Sequence, residues 1–301
     1  MEYKRRIKQF NNIIQSINKR KNVIISGEKQ RYATDIYMDN IVWSERNDYF
    51  WDVYYYNIVT EKITRITNNK SQQSQPKIWK DRIVWQDGRN GNADIYLYNI
   101  SSETEIQITD NLSAQENPDI WGNYIVWEDM RYNYFSDIYL FDLRTMKESR
   151  ITSNSSYELE PIVWGNTIVW KAKNVSELFS YNIDTKISTQ LTTTPQEAYF
   201  YHPCIYQNKV VFAYEEEGVD YKNIYECNID NKSFTQISNT NSNQKYPSIY
   251  GDWILWQDDR FEYSSIIAYK RFFDIDGDGI IDIEGEFPED PTEWNDTDSD
   301  G

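Results

Sequence analysis

Carboxylates near the C-terminus have the spacing of a cation site. Asp274, Asp276, Asp278 and Asp282 stand at positions 1, 3, 5 and 9 of a loop, and the backbone carbonyl of Ile280 stands at position 7. Calcium takes about six to eight oxygens, and this spacing curls carboxylates around one ion. Gly279 falls at position 6, where an EF-hand loop turns sharply; position 12 is Gly285, flanked by Glu284 and Glu286, so the loop departs from that pattern. A second Asp-x-Asp-x-Asp-Gly run follows at Asp296, Asp298 and Asp300. Calcium is the cofactor this spacing implies, and the alternative is a solvating acidic tail. Such loops bind weakly where calcium is scarce, so the calcium reading predicts an extracellular or cell-surface setting.

Aromatic side chains form a second set. Tyr49, Phe50 and Trp51, then Tyr132, Tyr134 and Phe135, then Phe261 and Tyr263 fall between segments rich in strand-forming residues. Exposed on loops, they make a binding rim for a surface protein or polysaccharide; folded back, they pack between strands. Asp87 with Arg89, Asp129 with Arg131, Asp258 with Arg260, and approximately Glu45 with Arg46 recur as acid–base pairs, and recurrence favours structural salt bridges. The lone histidine, His202, precedes Pro203 and reads as a packed or surface residue. No nucleophile elbow, phosphate loop or paired-histidine motif is present, so no catalytic residue is assigned. Paired carboxylates of a polysaccharide-active enzyme remain an alternative, because the chain is rich in them.

The elements that position these residues come from an internal repeat. Ile41-Val42-Trp43 returns as Ile83-Val84-Trp85, Ile125-Val126-Trp127 and Ile168-Val169-Trp170, and more loosely as Val210-Val211-Phe212 and Ile254-Leu255-Trp256, at steps of 42, 42, 43, 42 and 44 residues. Nine residues before each Trp or Phe lies Pro76, Pro118, Pro161, Pro203 or Pro247, with Thr34 in the first copy. A run such as Ile95-Tyr96-Leu97-Tyr98-Asn99 follows, and an Ile-Thr-like pair closes five of the copies. Each unit reads as four short strands of β-branched and aromatic residues. A repeat near 42 residues with four strands predicts a six-bladed β-propeller of four-stranded blades. The sixth copy lacks a closing strand, and Asn22-Val23-Ile24-Ile25-Ser26 has the composition and phase to supply it and close the ring. Glycine is scarce, so Asn, Asp and Ser are expected to carry many turns.

The stretch Ile83-Val84-Trp85-Gln86-Asp87-Gly88-Arg89-Asn90-Gly91-Asn92-Ala93-Asp94-Ile95-Tyr96-Leu97-Tyr98 resembles the propeller repeats of the TolB-like family, and more closely related repeats of archaeal and bacterial surface proteins. The resemblance covers about residues 22–270 and implies a six-bladed propeller. The acidic segment resembles thrombospondin type 3 calcium repeats. Together these imply a non-catalytic propeller at the cell surface or outside the cell, with a calcium-stiffened tail. The alternative implied by the TolB-like resemblance is a periplasmic component of an envelope complex.

Charge and length set the boundaries. Residues 1–21 form a basic extension, and its Ile7, Phe10, Ile14 and Ile17 fall on one helical face. Residues 22–272 are the expected propeller, and 273–301 the acidic tail. The net charge of −17 argues against nucleic acid as a partner, because phosphates would be repelled. No apolar run of about 20 residues appears, so no transmembrane segment is expected. Cys204 and Cys227 make no disulfide framework. A monomeric ring is the expected state, with a place in a larger multidomain protein as the alternative.

Overall fold

The computed structural model describes residues 29–132, 135–194, 199–216, 218–260 and 265–270. Among them every regular element is a β-strand, and each repeat folds into one antiparallel sheet. We number these sheets as blades one to six in chain order. The strand at 22–26, the basic extension 1–21 and the acidic tail lie outside the described residues, and so do Tyr134, Phe261 and Tyr263.

The chain forms two compact units. The first comprises Met1–Gly91 and Tyr96–Ile106. It holds blade one, β1 (Arg31–Tyr37), β2 (Asn40–Asn47), β3 (Phe50–Asn57) and β4 (Lys62–Arg65), and most of blade two, β5 (Gln73–Trp79), β6 (Arg82–Asp87), β7 (Asp94–Asn99) and β8 (Thr104–Gln107). The second comprises Asn92–Ile95, at the start of β7, and Gln107–Gly301. Blade three is β9 (Gln115–Trp121), β10 (Tyr124–Asp129), β11 (Asp137–Asp142) and β12 (Lys147–Arg150), and blade four is β13 (Glu158–Trp164), β14 (Thr167–Ala172), β15 (Glu177–Asn182) and β16 (Ile187–Gln190). Blade five is β17 (Tyr199–Tyr206), β18 (Lys209–Glu215), β19 (Asn223–Asn228) and β20 (Phe234–Gln236). Blade six has three strands among the described residues, β21 (Gln244–Tyr250), β22 (Trp253–Asp258) and β23 (Ser265–Lys270).

The repeated triplet supplies the core of the blades, fully so in blades two and three; Ile41 of blade one is half-buried and Leu255 of blade six is exposed. Ile83, Val84 and Trp85 are fully buried, as are Ile125, Val126 and Trp127. Successive residues of a strand point to opposite faces, so a strand buried on both needs an unbroken apolar run. Within the second unit, Ile249, Ile254 and Trp256 of blade six cluster with Val211, Ala213 and Ile224 of blade five.

A buried indole N–H needs an acceptor, because an unsatisfied donor in the core costs about 1–3 kcal/mol. Blades two, three and six place an Asp two residues after the Trp: Trp85 donates to Asp87 at 3.0 Å, Trp127 to Asp129 at 3.1 Å and Trp256 to Asp258 at 3.5 Å. All three Asp residues are fully buried, and each is bridged by the Arg two residues further on. These are the acid–base pairs of the sequence, and they are structural. Burial alone would raise the Asp258 carboxyl, yet the bonds from Arg260, Gln244 and Trp256 outweigh it and bring it down to about 2. Blade four has Ala172 at the Asp position, and its carboxylate sits across the strand pair, where Glu158 faces Ala172 and accepts from Trp170. Blade one uses Glu45, which accepts from Trp43 at 3.4 Å and pairs with Arg31 at 2.7 Å.

The closing strands end in a second repeated bond. The hydroxyls of Thr67, Thr109, Thr152, Thr192 and Ser238 accept from the backbone N–H that opens each third strand's core, at Val53, Ile95, Ile138, Leu178 and Ile224. Turns between third and fourth strands begin on Asn57, Asn99, Asp142, Asn182 and Asn228, whose side chains accept from backbone N–H groups two or three residues on. The expectation that Asn and Asp carry turns holds for these bonds. The left-handed backbone positions four residues later fall instead to Glu61, Glu103, Met146, Lys186 and Lys232. The Asx bond locks the turn, so the residue after it need not be small.

Candidate functional site

The first strand of every blade is broken by a bulge. The pairing register shifts between Tyr32 and Asp35, Ser74 and Lys77, Leu159 and Ile162, Tyr201 and Cys204, and Lys245 and Ser248, and likewise in blade three. At each bulge one non-glycine residue is left-handed. In the first unit these are Ala33 and Gln75, with φ of 51° and 55°. In the second they are Asn117, Glu160, His202 and Tyr246, with φ of 50°, 52°, 51° and 53°. A left-handed L-residue costs about 1–2 kcal/mol. The Pro that follows five of them restricts the preceding backbone further. Bulges and strained backbone gather where a side chain must be re-aimed.

The surrounding chain of the second unit holds the bulges in place. Glu128 is buried, and its carboxyl accepts from the Asn117 side chain at 2.8 Å and from the Glu160 amide at 2.7 Å. The Glu160 carboxylate accepts in turn from the His202 amide at 3.0 Å and from Lys171 at 2.5 Å. Three blades are thus joined bulge to bulge. Burial pushes the Glu128 carboxyl up to about 7; the bonds from Glu160 and Asn117 oppose the rise, and the charges of Glu160 and Glu116 add to it. Partial desolvation by its neighbours lowers His202 from its ordinary value; Glu160 opposes that, and Lys171 and Lys222 reinforce it.

Around this row every lysine has a carboxylate partner. Lys222 lies 3.0 Å from Glu215, and Lys245 lies 2.6 Å from Asp259. Lys222 also lies over the Tyr201 ring at 4.6 Å, and the Tyr201 hydroxyl donates to Glu215 at 2.9 Å. Burial and that bond push the Tyr201 phenol up to about 12. The rings of His202 and Tyr246 lie 4.5 Å apart, tilted by 34°, and both residues are exposed. The row therefore offers amide, carboxylate, imidazole and phenol groups, with Lys171, Lys222 and Lys245 already paired. Among the described residues no group of three or more His, Cys, Asp or Glu could hold a metal ion.

The opposite ends of the same strands carry rings at every copy. Tyr37 and Trp79 lie 6.0 Å apart in the first unit. In the second, Trp121, Trp164, Tyr206 and Tyr250 follow one another at 3.6, 4.7 and 5.1 Å. These rings pack on one another as a ladder.

Five of the aromatic residues singled out in the sequence are described: Tyr49, Phe50, Trp51, Tyr132 and Phe135. Tyr49 is 81% exposed in a turn. Phe50 and Trp51 are not loop residues: they pair with Asn47 and Arg46 inside the first hairpin, which extends to a two-residue turn at Asp48 and Tyr49. Trp51 packs edge-on against Tyr32, with centroids 4.4 Å apart. Phe135 lies against Tyr157 at 4.9 Å, and Tyr132 lies under Arg150 at 4.5 Å. The proposed calcium ligands lie outside the described residues. The bulge row escaped sequence reasoning, apart from His202 noted as a lone residue. The only local mark is the repeated Pro that follows five of the six positions; the residues on either side of it vary from copy to copy.

No family model matches the chain, and no curated protein matches it. Solved structures do. TolB from Acinetobacter baumannii is 14% identical, with a TM-score of 0.56 over 73% of this chain and 61% of that one. An oligogalacturonate lyase in complex with manganese is 12% identical, with a TM-score of 0.58 over 77% of this chain and 71% of that one. The β-propeller domain of the trilobed protease from Pyrococcus furiosus, described with an open velcro topology, is 10% identical, with a TM-score of 0.60 over 82% of each chain. The chain spans about three-fifths of the Acinetobacter protein's length. At these identities the likeness shows the fold, an all-β propeller whose six blades are the six sheets above.

Proposed function

We propose that this chain is a non-catalytic binding module of the cell surface or extracellular space, taking a surface protein or polysaccharide, with its acidic tail stiffened by calcium. One observation carries the binding role. The six bulges share one strained backbone, yet they present six different side chains: Ala33, Gln75, Asn117, Glu160, His202 and Tyr246. A repeat that keeps its backbone while the residues projecting from it vary has the character of a recognition surface. The calcium role rests on the spacing of Asp274, Asp276, Asp278 and Asp282 and of Asp296, Asp298 and Asp300, with the Ile280 carbonyl. Calcium bridges carboxylates that otherwise repel.

The likeness to TolB supports a second reading, a periplasmic envelope component, and the likeness to a lyase and a protease propeller keeps an enzyme as the rival. Incubating the full chain with an arrayed panel of glycans and surface proteins, followed by product analysis, separates them. Retention of an intact ligand supports the module, whereas cleaved product makes the chain an enzyme. Limited proteolysis with calcium and with chelator tests the tail: protection of the segment after residue 272 is expected only with calcium, and identical digestion in both removes the calcium role.

A further inference from the structure

The side chains of the bulge row point to one ligand class. The His202 and Tyr246 rings are 4.5 Å apart and tilted by 34°, an exposed aromatic shelf on two adjoining strands, β17 and β21. Tyr246 is 58% exposed. Three charged pairs close by, Glu160 with Lys171, Glu215 with Lys222 and Asp259 with Lys245, lie at 2.5, 3.0 and 2.6 Å. Each cancels its own charge, and the carboxyls of Glu116 and the buried Glu128 leave the row, among the described residues, no free cation with which to hold an anion. The chain as a whole carries −17, which repels an anion approaching from solvent.

A row whose lysines are already paired, with exposed rings and hydrogen-bonding groups, suits a ligand that is polar but uncharged. Both carboxylate oxygens of Glu160 are engaged, one by Lys171 and one by the His202 amide. Each oxygen keeps a second lone pair able to accept from a hydroxyl. Asn117, held by Glu128, adds an amide that both donates and accepts. Sugar rings have an apolar C–H face, which packs on aromatic faces, and an equatorial rim of hydroxyls, which such side chains bind. We infer that the bulge row of the second unit binds a neutral saccharide, stacked on His202 and Tyr246 and hydrogen-bonded by Glu160 and Asn117. This rests on the binding reading above and names its ligand class.

The chain has one histidine, so the His202 imidazole resonances report on this place alone. The full chain is titrated with neutral cello-, manno- and galacto-hexaoses, with an anionic hexagalacturonate, with a cationic chitosan hexamer and with mixed hexapeptides. At least one neutral hexaose is expected to shift the His202 signals. Tyr246→Ala should weaken that binding about tenfold or more. Tyr246→Phe keeps the shelf and should retain binding. Tyr250→Ala, which removes an exposed ring at the other end of β21, should leave affinity within about twofold. Shifts produced by the charged saccharides or the peptides, with none from the neutral sugars, overturn the ligand class and leave the binding role standing. Absence of any shift overturns both. Equal binding by Tyr246→Ala removes the shelf from the site.

Discussion

In blade three the fully buried Trp127 donates to Asp129, Asp129 is bridged by Arg131, and Arg131 reaches Glu148 on the fourth strand at 2.6 Å while lying over Tyr139 at 4.4 Å. In blade five the corresponding positions hold Phe212, Tyr214, Glu216 and Phe234. Phe234 packs on Phe212, Tyr214 and Tyr225 at 5.6, 5.5 and 5.0 Å, and Phe200 joins them where blade three has Gln115. One atom separates the two arrangements. The indole N–H of Trp127 obliges a buried acceptor, a buried carboxylate obliges a cation, and the cation recruits a second carboxylate. Phe212 has no N–H, and rings stand in place of the two carboxylates, with Glu216 at the position of the Arg. Blade four teaches the same from another side: its carboxylate sits on the partner strand, and the bond to Trp170 persists.

The comparison breaks most severely at Asp129. Asp129→Ala leaves a buried indole N–H and Arg131 without their acceptor, and should cost about 3–5 kcal/mol in chemical denaturation. A loss below about 1 kcal/mol would show that the charged chain is incidental.

The reverse experiment is next in size. Phe212→Trp puts an indole into blade five with no carboxylate to meet it and should cost about 2–3 kcal/mol. Adding Tyr214→Asp with Glu216→Arg should do less harm beside Trp than beside Phe212, with a favourable coupling of about 1–2 kcal/mol in a mutant cycle. Zero coupling would mean that the blades are not interchangeable in this way.

Glu128 sharpens the contrast further. Blade three carries this buried carboxyl next to Asp129, with Ala213 at the same place in blade five. Glu128 has no cation in hydrogen-bond contact, and its carboxyl rises to about 7 from 4.5. The folded state therefore holds a proton between those values that the unfolded state has released, and stability falls as pH rises through that window. Glu128→Gln removes the fall while keeping the acceptor for Asn117 and Glu160. It should stabilise the protein by about 1–2 kcal/mol above pH 7 and leave it unchanged below pH 4.5. A pH-independent effect would show that the proton is not the cause.

Blade count, strand order and core were legible because burial on both faces demands an unbroken apolar run, and Ile-Val-Trp or a close variant provides one at each step, though in blade six Leu255 is exposed. The Asp and Arg after the triplet were legible as a structural pair because they recur with the Trp. The site was not legible. Its residues are defined by how they differ, and Gln75, Asn117, Glu160, His202 and Tyr246 share no residue type for a repeat search to find. Composition marks the aromatic runs at Tyr49 and Tyr132 but not their contacts: Trp51 packs on Tyr32 and Phe135 on Tyr157.

By itself, then, the sequence determined which strands form and where each repeat begins, because those depend on local pattern and on the period of burial. Tertiary structure alone decided that the residue before each repeated proline is left-handed and that Glu128 reaches the amide of Glu160 across a blade boundary. It likewise brought His202, the lone histidine, beside Tyr246, which is 44 residues away in the chain. Register shifts and contacts between blades are long-range: they depend on which strand packs on which, and no window of neighbouring residues encodes that.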